Sequence, residues 1–484
     1  MSATAWAVNI SGNDKIVAAA LGDGTIRWYN MADGKELLTF YVNTDKKRWV
    51  LFTPSGYYDA APGAEDFLGW HINNGANRSP SFYPVSRFKE QFYRPDIIDA
   101  IFDTYNATQA IKLANSRSSK DNVTKTNIKE KLPPIITITS PANGSTVNTG
   151  VVTVKYSLKT QDNAPVKNIK VLVNGRPAAI EQRGVKVLLS DSYTVDVNIP
   201  FDTCTITLLA ENDNGVSPEA NLYLKYKAPQ KPKEEFIVRP KLYVLAIGIS
   251  NYENNDLKLK YAENDASGLV SVLQQQKGRL YEDVIVKKLV DKNATRENIQ
   301  DGLQWIQDQT TQHDIAMIFY AGHGINDNNG IFYIVPVGGD AARLRSTCLN
   351  FEELKQTVKH IVGKVVVFID ACHSGNVMGS RRGIVDINAL VNELSSTQNG
   401  AVTFTSSTGN EYSLEKPEWL HGAFTKALLE GLSGKGSIPG KNKITVNSLD
   451  LYVSERVKEL TDGKQHPTSI RPPNVPDFPI GVPN

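Results

Sequence analysis

The chain has 484 residues, 40% hydrophobic and 21% charged, with a formal net charge of +2 at pH 7. That length is a prior for about two to four domains, and the near-neutral balance excludes a global field that would draw in nucleic acid or an anionic membrane. No stretch approaches the ~20 apolar residues of a membrane span, the N-terminus has no signal-peptide pattern, and Cys204, Cys348 and Cys372 lack disulfide or metal spacing, which predicts a cytoplasmic protein in a reducing compartment.

In chain order, residues 1–48 hold four short β runs broken by "GND", "GDG" and "ADGK" turns. They resemble one WD40-type propeller blade, with Asp23 in the tight turn and Tyr29-Asn30 where a Trp-Asp pair usually sits. Propellers close with about four to eight blades, so a lone blade leads to the expectation of a longer chain, a partner, or packing on its neighbours. Residues 49–114 read as an aromatic-rich connector and 115–132 as a polar linker. From 133 to 228, alternating strands at intervals of roughly ten residues predict a β-sandwich. Its opening "PPIITITSPANGSTV" is similar to bacterial immunoglobulin-like modules, which serve as spacers or docking surfaces. Residues 229–239 form a Pro- and Lys-rich linker.

Residues 240–470 alternate buried strands with amphipathic helices, and 471–484 form a Pro-rich tail. "KLYVLAIGIS" is a near-continuous apolar run, the mark of a strand covered on both faces. "ATRENIQDGLQWIQDQ" predicts a helix with Thr295 as N-cap and Leu303 and Ile306 inward. "DIAMIFYAGHG", "KVVVFIDACHSG" and "AVTFTSS" supply further strands, and "HGAFTKALLEGL" and "VNSLDLYVSERVKEL" the closing helices. The fold class is therefore multidomain: a C-terminal α/β domain with an open, mostly parallel sheet flanked by helices, preceded by an all-β immunoglobulin-like sandwich and a propeller-like blade.

Two strands end in chemically loaded segments. "YAGHG" puts His323 just past one strand and "DACHSG" puts Cys372 just past another, and ligand sites in such sheets form at the carboxyl ends of strands. A thiol of pKa about 8.5 is mostly protonated at neutral pH, and an imidazole beside it can take the proton. The thiolate then attacks an acyl carbon and the imidazole protonates the leaving amine. Backbone N–H groups of Gly324 and Cys372 are the oxyanion donors this chemistry calls for. Cys204 and Cys348 read as buried small hydrophobes.

Over about 230 residues, "VLAIGISNY", "AENDA", "YAGHG", "DACHSG", "TSSTGNEYSLE" and "HGAFTKALLEGL" follow in an order that resembles the caspase and metacaspase family of cysteine peptidases. The His–Cys separation is 49 positions, against the ~50 of a caspase. Asp-Ala-Cys-His-Ser, in place of Gln-Ala-Cys, is closer to the metacaspase-like or bacterial branch.

The resemblance implies a carboxylate-lined first specificity pocket at Asp265 and Asp370, hence cleavage after Arg and secondarily Lys. It also implies self-cleavage after Arg381 or Arg382, in the Gly-rich segment behind the nucleophile. In the stretch that follows "YAGHG", "INDNNGIFYIVPVGGD", only Asp327 and Asp340 are acidic, unlike a calcium-dependent metacaspase, so no metal or other cofactor is expected. The implied partners are protein or peptide substrates and regulatory proteins docking on the blade and sandwich, with neither nucleic acid nor membrane. A catalytically idle scaffold and an acyl-transfer ligase or transpeptidase are the competing readings. A link to bacterial defence comes by analogy alone.

Overall fold

A computed structural model describes residues 3–73, 76, 80–117, 132–160, 164–178, 186–187, 192–227, 239–327, 331–373, 387–396, 399–407 and 413–483. The chain divides into two compact units: Met1–Ile135 with Lys159–Ile169 and Ala210–Pro218, and Ile136–Leu158 with Lys170–Leu209 and Glu219–Asn484. None of the helices among the described residues is long and apolar enough to cross a membrane.

In the first unit an antiparallel meander of six strands runs from Ala5 to Ala60. The four runs expected within 1–48 are there, and Trp49–Phe52 and Tyr58–Ala60 extend the same sheet. Asp23 holds its turn by accepting from the Thr25 backbone N–H at 3.0 Å and hydroxyl at 2.6 Å. Helices Pro95–Thr104 and Ala107–Arg117 then cover part of the sheet, burying Ile98, Ile101 and Ala110 with Ile16 and Leu38.

In the second unit, the segments 136–158, 170–209 and 219–226 contribute most of two β-sheets, one of six strands and one of four. Strand Val151–Lys159 buries Val152, Val154 and Tyr156 in alternation with exposed neighbours, the period-2 signature of a half-buried strand.

The C-terminal domain is built on a mixed, mostly parallel sheet. In chain order its principal elements are β1 (Leu242–Gly248), α1 (Ala262–Gln274), β2 (Val284–Val290), α2 (Arg296–Gln309), β3 (Ile315–Asn326), α3 (Phe351–His360), β4 (Lys364–His373), α4 (Ile387–Leu394), β5 (Val402–Thr405), β6 (Glu415–Lys416), β7 (His421–Gly422), α5 (Ala423–Glu430), α6 (Val446–Thr461) and β8 (Thr468–Ile470). The main sheet runs β2-β1-β3-β4-β5-β8, with all neighbours parallel except β8, which lies antiparallel at the edge.

Side-chain alternation sorts the strands into two cores. Val244, Phe319, Val366 and Phe368 face α1, α5 and α6, while Leu245, Ile318, Val367 and Ile369 face α2, α3 and α4. Both faces are thus dry, which explains the unbroken apolar runs. Thr295 caps α2 by accepting from the Asn298 N–H at 3.2 Å, and Cys204 and Cys348 are buried free thiols.

Candidate active site

The sheet register brings the two strand ends together. β3 and β4 pair in parallel from Ile315 and Lys364 onward, and His323 is the register partner of Cys372. Neighbouring strands lie about 4.8 Å apart, so the two backbones are immediate neighbours. Both residues were expected just past their strands. They lie inside them, because β3 and β4 keep pairing through Gly322 and Ala371, and Phe332–Ile334 adds a further antiparallel ladder to β3. Gly324 belongs to that same stretch, facing Ile334 on one side and His373 on the other.

The His323 ring is held in one orientation. Its backbone N–H donates to the Tyr252 hydroxyl at 2.9 Å, and the Tyr320 hydroxyl donates to its carbonyl at 2.6 Å. Nε2 lies 2.8 Å from the Leu257 carbonyl. A carbonyl can only accept, so Nε2 carries the proton and Nδ1 keeps its lone pair. Nδ1 is buried and has no hydrogen-bond partner among the described residues. Burial pushes the ring's proton affinity down, partly opposed by the Leu257 carbonyl. Leu257 was invisible in the sequence because its contribution is a backbone oxygen. A short turn, Asn255–Leu257, places it, capped by the Asn254 side chain accepting from the Asp256 N–H at 3.0 Å.

Asp265 and Asp370 also meet. Asp370 continues the Val366–Phe368 row of β4 onto the face covered by α1 and α5, and Asp265 lies in the first turn of α1. Asp370 accepts from the Ser413 hydroxyl at 2.7 Å and the Thr425 hydroxyl at 2.8 Å. Asp265 accepts from the Gly422 N–H at 3.3 Å and from Nδ1 of His421 at 2.8 Å. Gly422 sits between the two carboxylates. A Cβ there would come within 3.0 Å of Asp370 Oδ2 and 3.6 Å of Asp265 Oδ2.

Burial raises the proton affinity of both acids, and the charge of Asp370 raises Asp265 further. Glu415, the β6 partner of Gly422, is raised by burial and then by Asp370. Glu415 and His421 were not singled out in the sequence. The sequence pattern runs "HGAF" into a helix, whereas His421 and Gly422 form β7 and the helix starts at Ala423. Arg381 and Arg382 lie outside the described residues.

Residues 241–477 match the family model for the caspase domain. The chain matches no curated protein. Among solved structures, protein GSU0716 from Geobacter sulfurreducens is 19% identical, covering 51% of this chain and 100% of that one at a TM-score of 0.38. The titin M3 domain is 16% identical over 20% of this chain and 98% of its own, at a TM-score of 0.15. Through residues 241–477, the C-terminal part of this chain is a caspase domain, which supports a cysteine-type peptidase as its chemistry.

Proposed function

We propose that this chain is a cysteine endopeptidase that cuts proteins after Arg, and second after Lys, with Cys372 as nucleophile and His323 as its base. The observation that carries the reading is the register pairing of His323 with Cys372, beside an imidazole whose buried Nδ1 has no hydrogen-bond partner among the described residues. In the reaction the Cys372 thiol gives its proton to Nδ1 and the thiolate attacks the scissile carbonyl carbon. The oxyanion of the tetrahedral adduct is taken by the backbone N–H groups of Gly324 and Cys372, each such donor being worth roughly 3–4 kcal/mol. Collapse breaks the C–N bond as the imidazolium protonates the departing amine. Water then attacks the thioester, with His323 accepting its proton and returning it to the sulfur.

The specificity follows from charge. Asp265 and Asp370 are buried acids, and among the described residues His421 is the only basic side chain hydrogen-bonded to either. Such a pair is stabilised by a cation between its members, and the forked donors of a guanidinium fit two carboxylates better than an ammonium does. Self-cleavage after Arg381 or Arg382, restraint by the blade and sandwich, and independence from metal belong to the same proposal.

The test is an unbiased peptide library cut by wild type and by Cys372→Ala. Cleavage after Arg and Lys by wild type alone is the expected result, and a preference for Asp would overturn it. Wild type that stays intact while active on peptides, or Cys372→Ala nicked equally, would overturn self-cleavage.

A further inference from the structure

Asp265 has a neighbour whose placement demands an explanation. His421 reaches it through Leu420, which is 59% exposed and has a φ of 56°. That left-handed conformation is strained for a bulky side chain. The turn is held from both sides: the Leu420 N–H donates to the Pro417 carbonyl at 3.2 Å, and the Leu420 carbonyl accepts from Asn264 Nδ2 at 3.3 Å. The imidazole then rests on Gly268, where a Cβ would approach Cε1 to 3.0 Å. So α1 supplies the carboxylate, the amide that fixes the turn, and a glycine that leaves room for the ring and for Leu429 Cδ1. Two local costs, the left-handed Leu420 and the glycine within α1, accompany one contact, Nδ1 of His421 at 2.8 Å from Oδ1 of Asp265.

We propose that His421 is a specificity-determining residue of the acid pocket: its neutral ring aligns Asp265 for a substrate guanidinium, and its protonated ring competes with that guanidinium. This deepens the Arg-directed reading above and rests on it. A neutral ring donating from Nδ1 leaves the Asp265 charge intact for a substrate. A second proton on Nε2 makes the ring a cation against the carboxylate and cancels the attraction. The groups facing the ring are Asp265 from α1, Lys416 opposite it in β6, and Lys426 from α5, with Glu415 and Asp370 on the two sides of Gly422. Burial, and then Lys426, hold the ring's proton affinity below its ordinary value, so it is neutral near pH 7.

The test measures KM and kcat for an Arg-ended fluorogenic peptide between pH 5 and 8 in wild type, His421→Asn and His421→Lys. The Asn amide nitrogen occupies the place of Nδ1 and donates as it does, but cannot titrate. Wild-type KM should rise towards pH 5 at least threefold more steeply than that of His421→Asn, in which the rise that remains is the protonation of the acid pair itself. His421→Lys, a permanent cation, should raise KM at least tenfold at pH 8, with the change falling on KM more than on kcat. An unaltered KM profile in His421→Asn overturns this inference alone, and if His421→Lys does not fold, His421→Asn decides. Wild type that cuts after residues other than Arg or Lys overturns the pocket reading itself.

Discussion

Nε2 of His323 lies 2.8 Å from the carbonyl oxygen of Leu257, and this contact decides which ring nitrogen can act as a base. Burial lowers the ring's proton affinity from the ordinary value of 6.5, so the neutral ring persists below the usual imidazole range. The acid limb of kcat is therefore expected below pH 6.5 in wild type. The sign for stability follows from linkage: the folded value is depressed, so the ring's contribution is complete above 6.5 and is lost as pH falls through the folded value. Thermal unfolding of wild type and His323→Gln between pH 5 and 7.5 checks this. The stability gap between them should shrink as pH falls, and a gap independent of pH would refute it.

Asp265 has the opposite sign. Its folded proton affinity lies well above the ordinary carboxyl value of 3.8, through burial and then the charge of Asp370. Its contribution is present below 3.8 and is lost as pH rises through the folded value. An ionised Asp265 at neutral pH thus costs stability. Asp265→Asn should raise the melting temperature at pH 7 by about 2–4 °C, as expected for roughly 1 kcal/mol in a domain of this size, with the gain vanishing towards pH 4. The same change should raise KM for Arg substrates at least tenfold. A melting temperature that falls at pH 7 would show that Asp265 is structural.

Gly422 offers a test of space alone. Its φ of −64° and ψ of 149° are open to any residue, so alanine there introduces no backbone strain. Its methyl would stand 3.0 Å from Asp370 Oδ2 and 3.6 Å from Asp265 Oδ2. Gly422→Ala should therefore fold normally, as judged by circular dichroism, while kcat/KM on Arg peptides falls about 100-fold. Near wild-type activity would mean that substrate does not enter between the two acids.

The C-terminal domain was legible because its strands are covered on both faces, so the sequence carries unbroken apolar runs at β1, β3 and β4. Thr295 was legible for the same kind of reason, since a cap hydroxyl beside an amphipathic run has a local signature. Leu257 was not, because a carbonyl oxygen leaves no mark on residue identity. The β6–β7 pair was hidden by its two-residue strands, too short for any period to show. In the first unit, strand Trp49–Phe52 is contained in an aromatic run whose composition suggested a connector, and only its pairing with Glu36–Val42 reveals the longer sheet.

Arg176 ties the six-stranded sheet to the caspase domain. It follows the two-residue turn Asn174-Gly175, whose φ values of 50° and 81° mark the primed turn favoured in hairpins. The hairpin drives Arg176 into the caspase domain, where Nη2 donates to the Val358 carbonyl at 2.6 Å and to the Ile361 carbonyl, and Nη1 to the Asn399 carbonyl. Val358 and Ile361 lie at the carboxyl end of α3, where helix carbonyls lack internal partners and the dipole favours a cation. The guanidinium is buried, and burial pulls its proton affinity down to about 9. Arg176→Ala would strand three carbonyl acceptors in a dry interface, and each buried acceptor left unsatisfied costs about 1–3 kcal/mol. Arg176→Lys, with donors but no fork, should recover part of that. In calorimetry of the full chain, the sheet and the caspase domain should melt together in wild type and separate in Arg176→Ala, with hydrogen exchange rising first in α3 and at the start of β4. A single unshifted transition in Arg176→Ala would mean that the hairpin rests on the caspase domain without supporting it.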